Sequence, residues 1–481
     1  MSSGTHVTTT GIAVTPAADV ASVAQPPETS EEPKEPAEAS LRSRAIRGSA
    51  WLTGGYFSRE AMRLASNLIL AHLLMPEDFG LMALVTIFLQ ALQMFSDIGV
   101  GPSIIQNKRG ETAPFLNTAW TIQICRGFFL WGVACLIAYP VSRVWGPALA
   151  ILLPVAGINA VIQGFNSTRL FTLNRKLFMG RLTVIDLTTQ LVGALVMVAW
   201  ALFVSRSVWA LVAGGLAGSM TRLVLSHCIT PGPKHRLTFD RECYGEMFRF
   251  GRWLFLSTII TFFAGHVANL MYGALMTATA MGIYWTGYQF ARLVPELMRM
   301  FEGKLGFPLL SDLYRRDQKL FRTRLAQLRK VTCLLALAGC AMTVLLGPSF
   351  IYLVYPAPYF GAGWIMQLIA INAMAGILNS TYGQAYMASG YTHFNTITVA
   401  SQLAIMVVAT LTGYHFAGQT GFLLGLGISQ WVKYPVDAML AKRGGYWQWR
   451  FDIAMMVLAT AVALAMMAGS HGLLLLLGLT Y

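Results

Sequence analysis

Arg59 and Arg63 stand four residues apart inside a mostly apolar run, with Glu60 three positions before Arg63 and with Tyr56, Ser66 and Asn67 extending the same stripe. Residues three and four apart share a helix face, and an ionised side chain in hydrocarbon costs a few kcal/mol or more. Such a stripe has two uses. It can form ion pairs against a neighbouring helix, or it can present surplus positive charge to a hydrated cavity and bind an anionic head group there. Arg126, about nine residues into another apolar run and so near mid-depth at ~1.5 Å rise per residue, is a second cavity candidate. Arg292 and Glu296 flank Pro295, where a kink can open the backbone; the pair reads equally as a gate or as a structural i,i+4 pair. Arg222, Asp186, Lys433 and Asp437 fall within two turns of the ends of their runs, where snorkelling to water is the simpler account. A coupling proton or sodium ion would need an acid such as Glu60, Asp97, Asp186 or Glu296, or a histidine, His72 or His266.

Catalytic signatures are missing. The chain contains no phosphate-binding G-x-x-x-x-G-K-[ST] loop, no G-x-S-x-G elbow and no H-E-x-x-H. Its six cysteines, Cys125, Cys135, Cys228, Cys243, Cys333 and Cys340, show no C-x-x-C spacing, so neither a disulfide framework nor a zinc site is expected. No metal site and no catalytic residue are assigned, and the chain is read as a non-enzyme.

The elements that hold these residues are membrane spans. Of 481 residues 55% are apolar and 12% charged, against roughly a quarter charged in soluble domains. Residues 1–40, rich in Pro, Glu, Ala, Thr and Ser, are expected to be a disordered tail, without the apolar stretch of a secretory signal. Apolar stretches long enough to cross a bilayer then recur. Six are expected at 48–74, 80–98, 117–139, 144–166, 181–204 and 207–229. Six more follow at 248–272, 280–300, 328–347, 362–388, 394–413 and 416–440. The last stretch, 452–480, is one span or a short hairpin.

The net charge of +14 takes its meaning from position. Counted between these spans, 26 Lys and Arg fall on one side, while only Arg143 and Arg206 fall on the other. That asymmetry implies a cytosolic N-terminus and positive cytosolic loops rather than a nucleic-acid surface. The basic stretch 301–330, with Leu320, Leu325 and Leu328, reads as an interfacial amphipathic helix on anionic lipid or as an ordinary positive loop.

Sliding residues 47–88 by 202 positions pairs Arg47 with Arg249, Trp51 with Trp253, Leu52 with Leu254 and Asn67 with Asn269. It also pairs Leu68 with Leu270, Leu73 with Leu275, Gly80 with Gly282 and Phe88 with Phe290. Six spans per half give both halves one orientation, which implies a parallel pseudo-two-fold along the membrane normal with substrate between the lobes. The positions matching Arg59, Glu60 and Arg63 are Thr261, Phe262 and Gly265. Fold maintenance does not obviously require charge in one lobe alone, so the cavity use of the arginine stripe is favoured. The fold class is thus an all-α polytopic membrane protein with two parallel-repeat six-helix lobes around a central cavity. Its parts are the tail 1–40, an N-lobe 41–229, a cytosolic inter-lobe linker 230–247, a C-lobe 248–440, and 441–481 as a basic loop and extra C-terminal transmembrane segment.

The stretch from Asn67 to Gln106, NLILAHLLMPEDFGLMALVTIFLQALQMFSDIGVGPSIIQ, resembles the first two helices of Wzx-type polysaccharide transporters, with their L-A-R-x-L-x-P-x-D-F-G motif, Asp-x-Gly-x-Gly turn and Ile-Gln pair. Trp209-Ala210-Leu211-Val212, Phe248-Arg249-Phe250-Gly251 and Phe307-Pro308-Leu309-Leu310-Ser311 extend the likeness over about 41–440. His72 departs from the family's Arg, and Asn269 stands where many relatives carry Asp. The resemblance places the chain in the multidrug, oligosaccharidyl-lipid and polysaccharide exporter superfamily. It implies an inner-membrane, multi-pass flippase for a polyprenyl-diphosphate-linked oligosaccharide, working by alternating access. A diphosphate suits guanidinium groups, which assigns Arg59, Arg63, Arg126, Tyr56 and Asn67 to substrate binding, and Glu60, Arg292, Glu296 and Asn269 to gating or coupling. Implied partners are lipid-linked oligosaccharide, membrane lipids, and polysaccharide polymerase and export machinery; no cofactor is implied beyond a coupling ion. The alternatives are a cation-coupled multidrug exporter, a lipid II flippase, or, from another class, a membrane polysaccharide polymerase or ligase.

Overall fold

The computed structural model describes residues 36–96, 99–176, 178–230, 235–316 and 318–478. Most of the expected tail, and Asp97, lie outside the described residues. The first half is built from α1 (Pro36–Ala71), α2 (Pro76–Phe95), α3 (Val100–Gln106), α4 (Ala113–Trp145), α5 (Leu149–Gly164), α6 (Arg169–Arg175), α7 (Met179–Phe203) and α8 (Val208–Cys228). The second comprises α9 (Arg241–Leu275), α10 (Ala278–Ala291), α11 (Leu293–Phe301), α12 (Phe307–Arg316), α13 (Gln318–Val354), α14 (Ala362–Ala388), α15 (Thr392–Arg443) and α16 (Trp449–Leu476). Among the described residues there is no strand.

Among the described residues, eight helices are long and apolar enough to cross a membrane, or nine when α5 and α6, bent by 64°, count as one broken span. Three further expected spans coincide with α1, α9 and the α10–α11 pair, which carry polar and charged residues. The two spans expected at 394–413 and 416–440 form the single element α15, reversed at Ala417 and at Gly418, whose φ of 56° belongs to the left-handed region. Across that reversal a Cβ on Gly413 would strike the Gly421 carbonyl, and one on Gly421 the Gly413 carbonyl. Glycine thus lets the two arms touch along their backbones with no intervening loop. The last apolar stretch is one helix, α16, packed on α13, and not a hairpin.

The 202-residue repeat appears as contact. A Cβ on Gly80 would strike the Ala278 carbonyl, and one on Gly282 the Pro76 carbonyl. Pro76 and Ala278 are also 202 positions apart, so α2 and α10 cross on the pseudo-two-fold axis itself. Both helices start alike, behind an extended residue: Met75, whose N–H donates to Asp78 (3.1 Å), and Thr277, whose hydroxyl accepts from the Ala280 N–H (3.2 Å). A shared apolar core seals this crossing with Leu84, Tyr272, Met281, Tyr284 and Phe422.

At the opposite end, the linker belongs to the N-lobe. The backbone N–H groups of Arg236, Thr238 and Asp240 donate to Asn117, Thr121 and Thr118 of α4, at 3.2, 3.2 and 3.1 Å. Asp240 then caps α9, accepting from the Glu242 N–H at 2.8 Å. Cys243 and Met247 in its first turns are buried against Val100, Ile104 and Phe115. Arg109 pairs with Glu242 at 2.9 Å, and Asn107 bonds Glu246.

The segment expected to lie on lipid or in a loop instead folds onto the C-lobe. Leu325 is buried, and Leu328 packs, in a cluster with Phe321, Tyr382, Tyr386 and Tyr446. Leu325 and Leu328 therefore meet protein, while Leu320 stays exposed.

Candidate functional site

Six ionisable or polar residues meet where the lobes meet. Tyr56, Glu60 and Arg63 come from α1, His266 from α9, and Arg292 and Glu296 from the break between α10 and α11. Arg292 ends one helix and begins the next, so the break falls three residues before Pro295. Arg63 donates to Glu60 at 2.5 Å and Arg292 to Glu296 at 3.0 Å. Arg63, Arg292, Glu60 and Glu296 all stand within electrostatic reach of Tyr56, and Arg292 within reach of His266. Each arginine keeps its Nε buried without a partner, as do the Tyr56 hydroxyl and the His266 Nδ1. A buried donor left unsatisfied costs about 1–3 kcal/mol, and three in one place, the two Nε–H groups and the Tyr56 hydroxyl, form with the His266 imidazole a group ready to receive acceptor oxygens.

Arg59 does not join them. Although it shares a face with Arg63, it turns into the N-lobe and donates to Asp186 of α7 at 3.2 Å; Arg222 of α8 holds the other oxygen of that carboxylate at 2.7 Å. One carboxylate between two guanidinium groups leaves one positive charge in surplus. Arg222 also borders a cavity of about 510 Å³ inside the N-lobe, a size within the usual range for ligand pockets. Gln93, Gln123, Arg126, Gln163 and Asn166 line it as well. Arg126 is held there by Ser96 Oγ (2.8 Å) and the Gln93 carbonyl (2.5 Å).

The remaining predicted residues do other work. Asn67 donates to Gln289 at 2.9 Å, tying α1 to α10. Asn269, 2% exposed, accepts from the Tyr284 hydroxyl at 2.8 Å inside the inter-lobe core. Lys433 and Asp437 do not snorkel. They pair at 3.0 Å inside the C-lobe, where Thr398 also donates to Asp437.

Sequence reasoning missed two features. Arg329, counted among the loop cations, is fully buried against Asp452 at 2.7 Å. Tyr382 and Tyr434 donate to the same carboxylate at 2.6 and 3.1 Å, so α13, α14, α15 and α16 share one network. The second feature is the carboxamide lining of the N-lobe cavity, whose signal was present as polar residues three apart within spans: Gln123 with Arg126, and Gln163 with Asn166. Beside that cavity, His235 of the linker stacks on Trp120 and bonds Ser167 at 2.8 Å. Burial, with Arg169 and His227 close by, pushes its imidazole down to about 4.

The profile of the family described as "polysaccharide biosynthesis protein" matches residues 69–364, more than half of the chain. The Escherichia coli lipopolysaccharide biosynthesis protein WzxC is 22% identical over 404 residues, covering 82% of this chain and 80% of the relative. The Rhizobium meliloti succinoglycan biosynthesis transport protein ExoT is 23% identical over 403 residues, covering 75% of this chain and 78% of the relative. Among solved structures, the lipid II flippase MurJ in an inward closed conformation aligns with a TM-score of 0.66 over 87% of this chain and 92% of that one, at 11% identity. That last likeness is one of fold. The family match over more than half of its length shows that the chain belongs to the polysaccharide biosynthesis protein family, as the Wzx-type resemblance of its first helices implied.

Proposed function

We propose that this protein is a flippase that moves a polyprenyl-diphosphate-linked oligosaccharide repeat unit across the bacterial inner membrane for a surface or exported polysaccharide. The observation that carries the reading is the seam cluster: Tyr56, Arg63, His266 and Arg292 present buried polar atoms without partners at the junction of the lobes. A diphosphate offers only acceptor oxygens there, and guanidinium groups bind it by charge-assisted hydrogen bonds. Rocking of the lobes about the Gly80–Gly282 crossing would expose the seam to each side in turn, with the ligand stabilising whichever arrangement it contacts better. In this reading the N-terminus is cytosolic, Glu60 and Glu296 are the acids available to a coupling proton or sodium ion, and a polymerase with its export machinery receives the flipped unit. The chain itself performs no bond chemistry.

The test is the sidedness of lipid-linked oligosaccharide in membranes of a deletion strain and its complemented control, read with a periplasm-only glycosidase or lectin. Completed units should accumulate beyond reach of the probe and become accessible on complementation. Units exposed but unpolymerised in the deletion strain would move the step to polymerisation and defeat the flippase reading.

A further inference from the structure

We propose that the N-lobe cavity is a separate glycan subsite, binding the sugars of the substrate while the seam binds its diphosphate; this rests on the flippase reading. The two places ask for different chemistry. At the seam the residues that lack partners are two guanidinium groups, a phenol and an imidazole. In the cavity they are carboxamides: the Gln123 Oε1 and the Asn166 Oδ1 are buried without partners, and Asn166 is only 9% exposed. A carboxamide sets a donor beside an acceptor. Neighbouring hydroxyls on a sugar ring match that pair, whereas a diphosphate, having acceptors only, leaves the carbonyl side unmet.

The rest of the lining combines two guanidinium groups, Arg126 and Arg222, with apolar Met94, Leu130, Leu170 and Phe171, against which the carbons of a sugar ring can pack. No carboxylate is among the described lining residues. The Gln163 amide is steadied by donation to Asn159 at 3.2 Å, and Arg126 is fixed by Ser96 and the Gln93 carbonyl, so the wall is ordered before a ligand arrives, which lowers the entropic cost of binding. The 64° elbow between α5 and α6 brings Asn166 and Ser167 into the wall of the cavity. The Ser167 N–H is pinned to Ser226 at 3.0 Å and its hydroxyl to His235. This part of the wall touches the linker through His235, on the side where, in the flippase reading, a cytosolically assembled unit would enter.

Binding to purified full-length protein in nanodiscs tests the assignment with two probes: lipid-linked oligosaccharide extracted from producing cells, and bare polyprenyl diphosphate. The double variant Gln123→Leu plus Asn166→Leu should weaken the first about tenfold, the size of a lost polar contact, and leave the second as in wild type. Gln163→Leu alone, a milder change on the same wall, should move the first probe in the same direction by a smaller factor and likewise spare the second. Unchanged affinity for the oligosaccharide probe in both variants, or equal weakening of both probes, would overturn the glycan subsite. Wild-type protein that binds neither probe would instead overturn the flippase reading on which it rests.

Discussion

Two polar clusters, one in each lobe, treat their buried groups in opposite ways. In the C-lobe, Arg329 and Asp452 are both fully buried, and Tyr382, Tyr434, Thr381 and Gln448 take up their remaining hydrogen bonds. The Arg329 guanidinium also lies 3.7 Å from the centre of the Tyr382 ring. In the N-lobe, Arg126 and Arg222 border open space, and the carbonyl oxygens of Gln123 and Asn166 on the same wall lack partners. A saturated network stiffens four helices into one body, whereas an unsaturated one waits for a ligand. In the proposed reading the Arg329–Asp452 network acts as a strut, and the N-lobe cavity with the seam carries the binding surface. This agrees with the repeat itself, where Arg59, Glu60 and Arg63 face Thr261, Phe262 and Gly265 in the matching positions.

The sharpest way to break that contrast is Asp452→Ala. Removing one member of a buried ion pair strands its partner and costs about 3–5 kcal/mol, so the variant should lose most of its folded yield, read by size-exclusion chromatography in detergent and by thermal unfolding. Arg329→Met combined with Asp452→Leu should recover much of that yield and of transport, because a strut needs packing and not charge. A well-folded double variant without export would make the pair part of the transport path.

Next in size is the seam. A hydrogen bond to a charged group is worth about 1.5–3 kcal/mol, so Arg63→Gln and Arg292→Gln should each lower export about 10- to 100-fold with membrane insertion intact. Arg59→Gln should cost only a few-fold, since Arg222 still holds Asp186. Equal losses at Arg59 and Arg63 would restore the single cationic stripe read from spacing alone. Polymer output in complemented strains, normalised to protein in the membrane, measures all three.

Spacing could reveal charges in apolar runs because their cost is large wherever they sit, and this is how Arg63, Arg126 and Arg292 came to notice. It could also align Gly80 with Gly282, although not show that the two touch. What it could not show was partnership at a distance. Arg329 and Asp452 are 123 residues apart, and a count of basic residues between spans treats any arginine near a boundary as a loop residue. Arg59 and Arg63 share a helical face, but Arg59 reaches Asp186 on α7 while Arg63 stays with Glu60 on its own helix, and that choice depends on an acid that α7 supplies rather than on α1 alone. The amides of the N-lobe cavity escaped because an uncharged carboxamide in a span is cheap enough to pass as ordinary packing.

The smallest expected effect concerns how firmly the linker stays with the N-lobe. His235 sits between Trp120, Ser167, His227 and Arg169. Its folded pKa is pushed down to about 4 from an ordinary 6.5, so between those values the unfolded linker binds more protons than the docked one. Linkage then makes docking fully stable above about pH 6.5 and progressively weaker as pH falls toward 4. Hydrogen exchange at the Arg236, Thr238 and Asp240 amides, which are bonded to α4, should therefore quicken between pH 7 and pH 5 beyond the intrinsic chemical trend, while the C-lobe network stays protected. His235→Phe keeps the stack on Trp120 without a titrating group and should abolish the excess. If wild type and His235→Phe share one pH profile, the linker is held by its backbone bonds to Asn117, Thr118 and Thr121 alone, and the N-lobe keeps the first turns of α9 whatever the protonation of its rim.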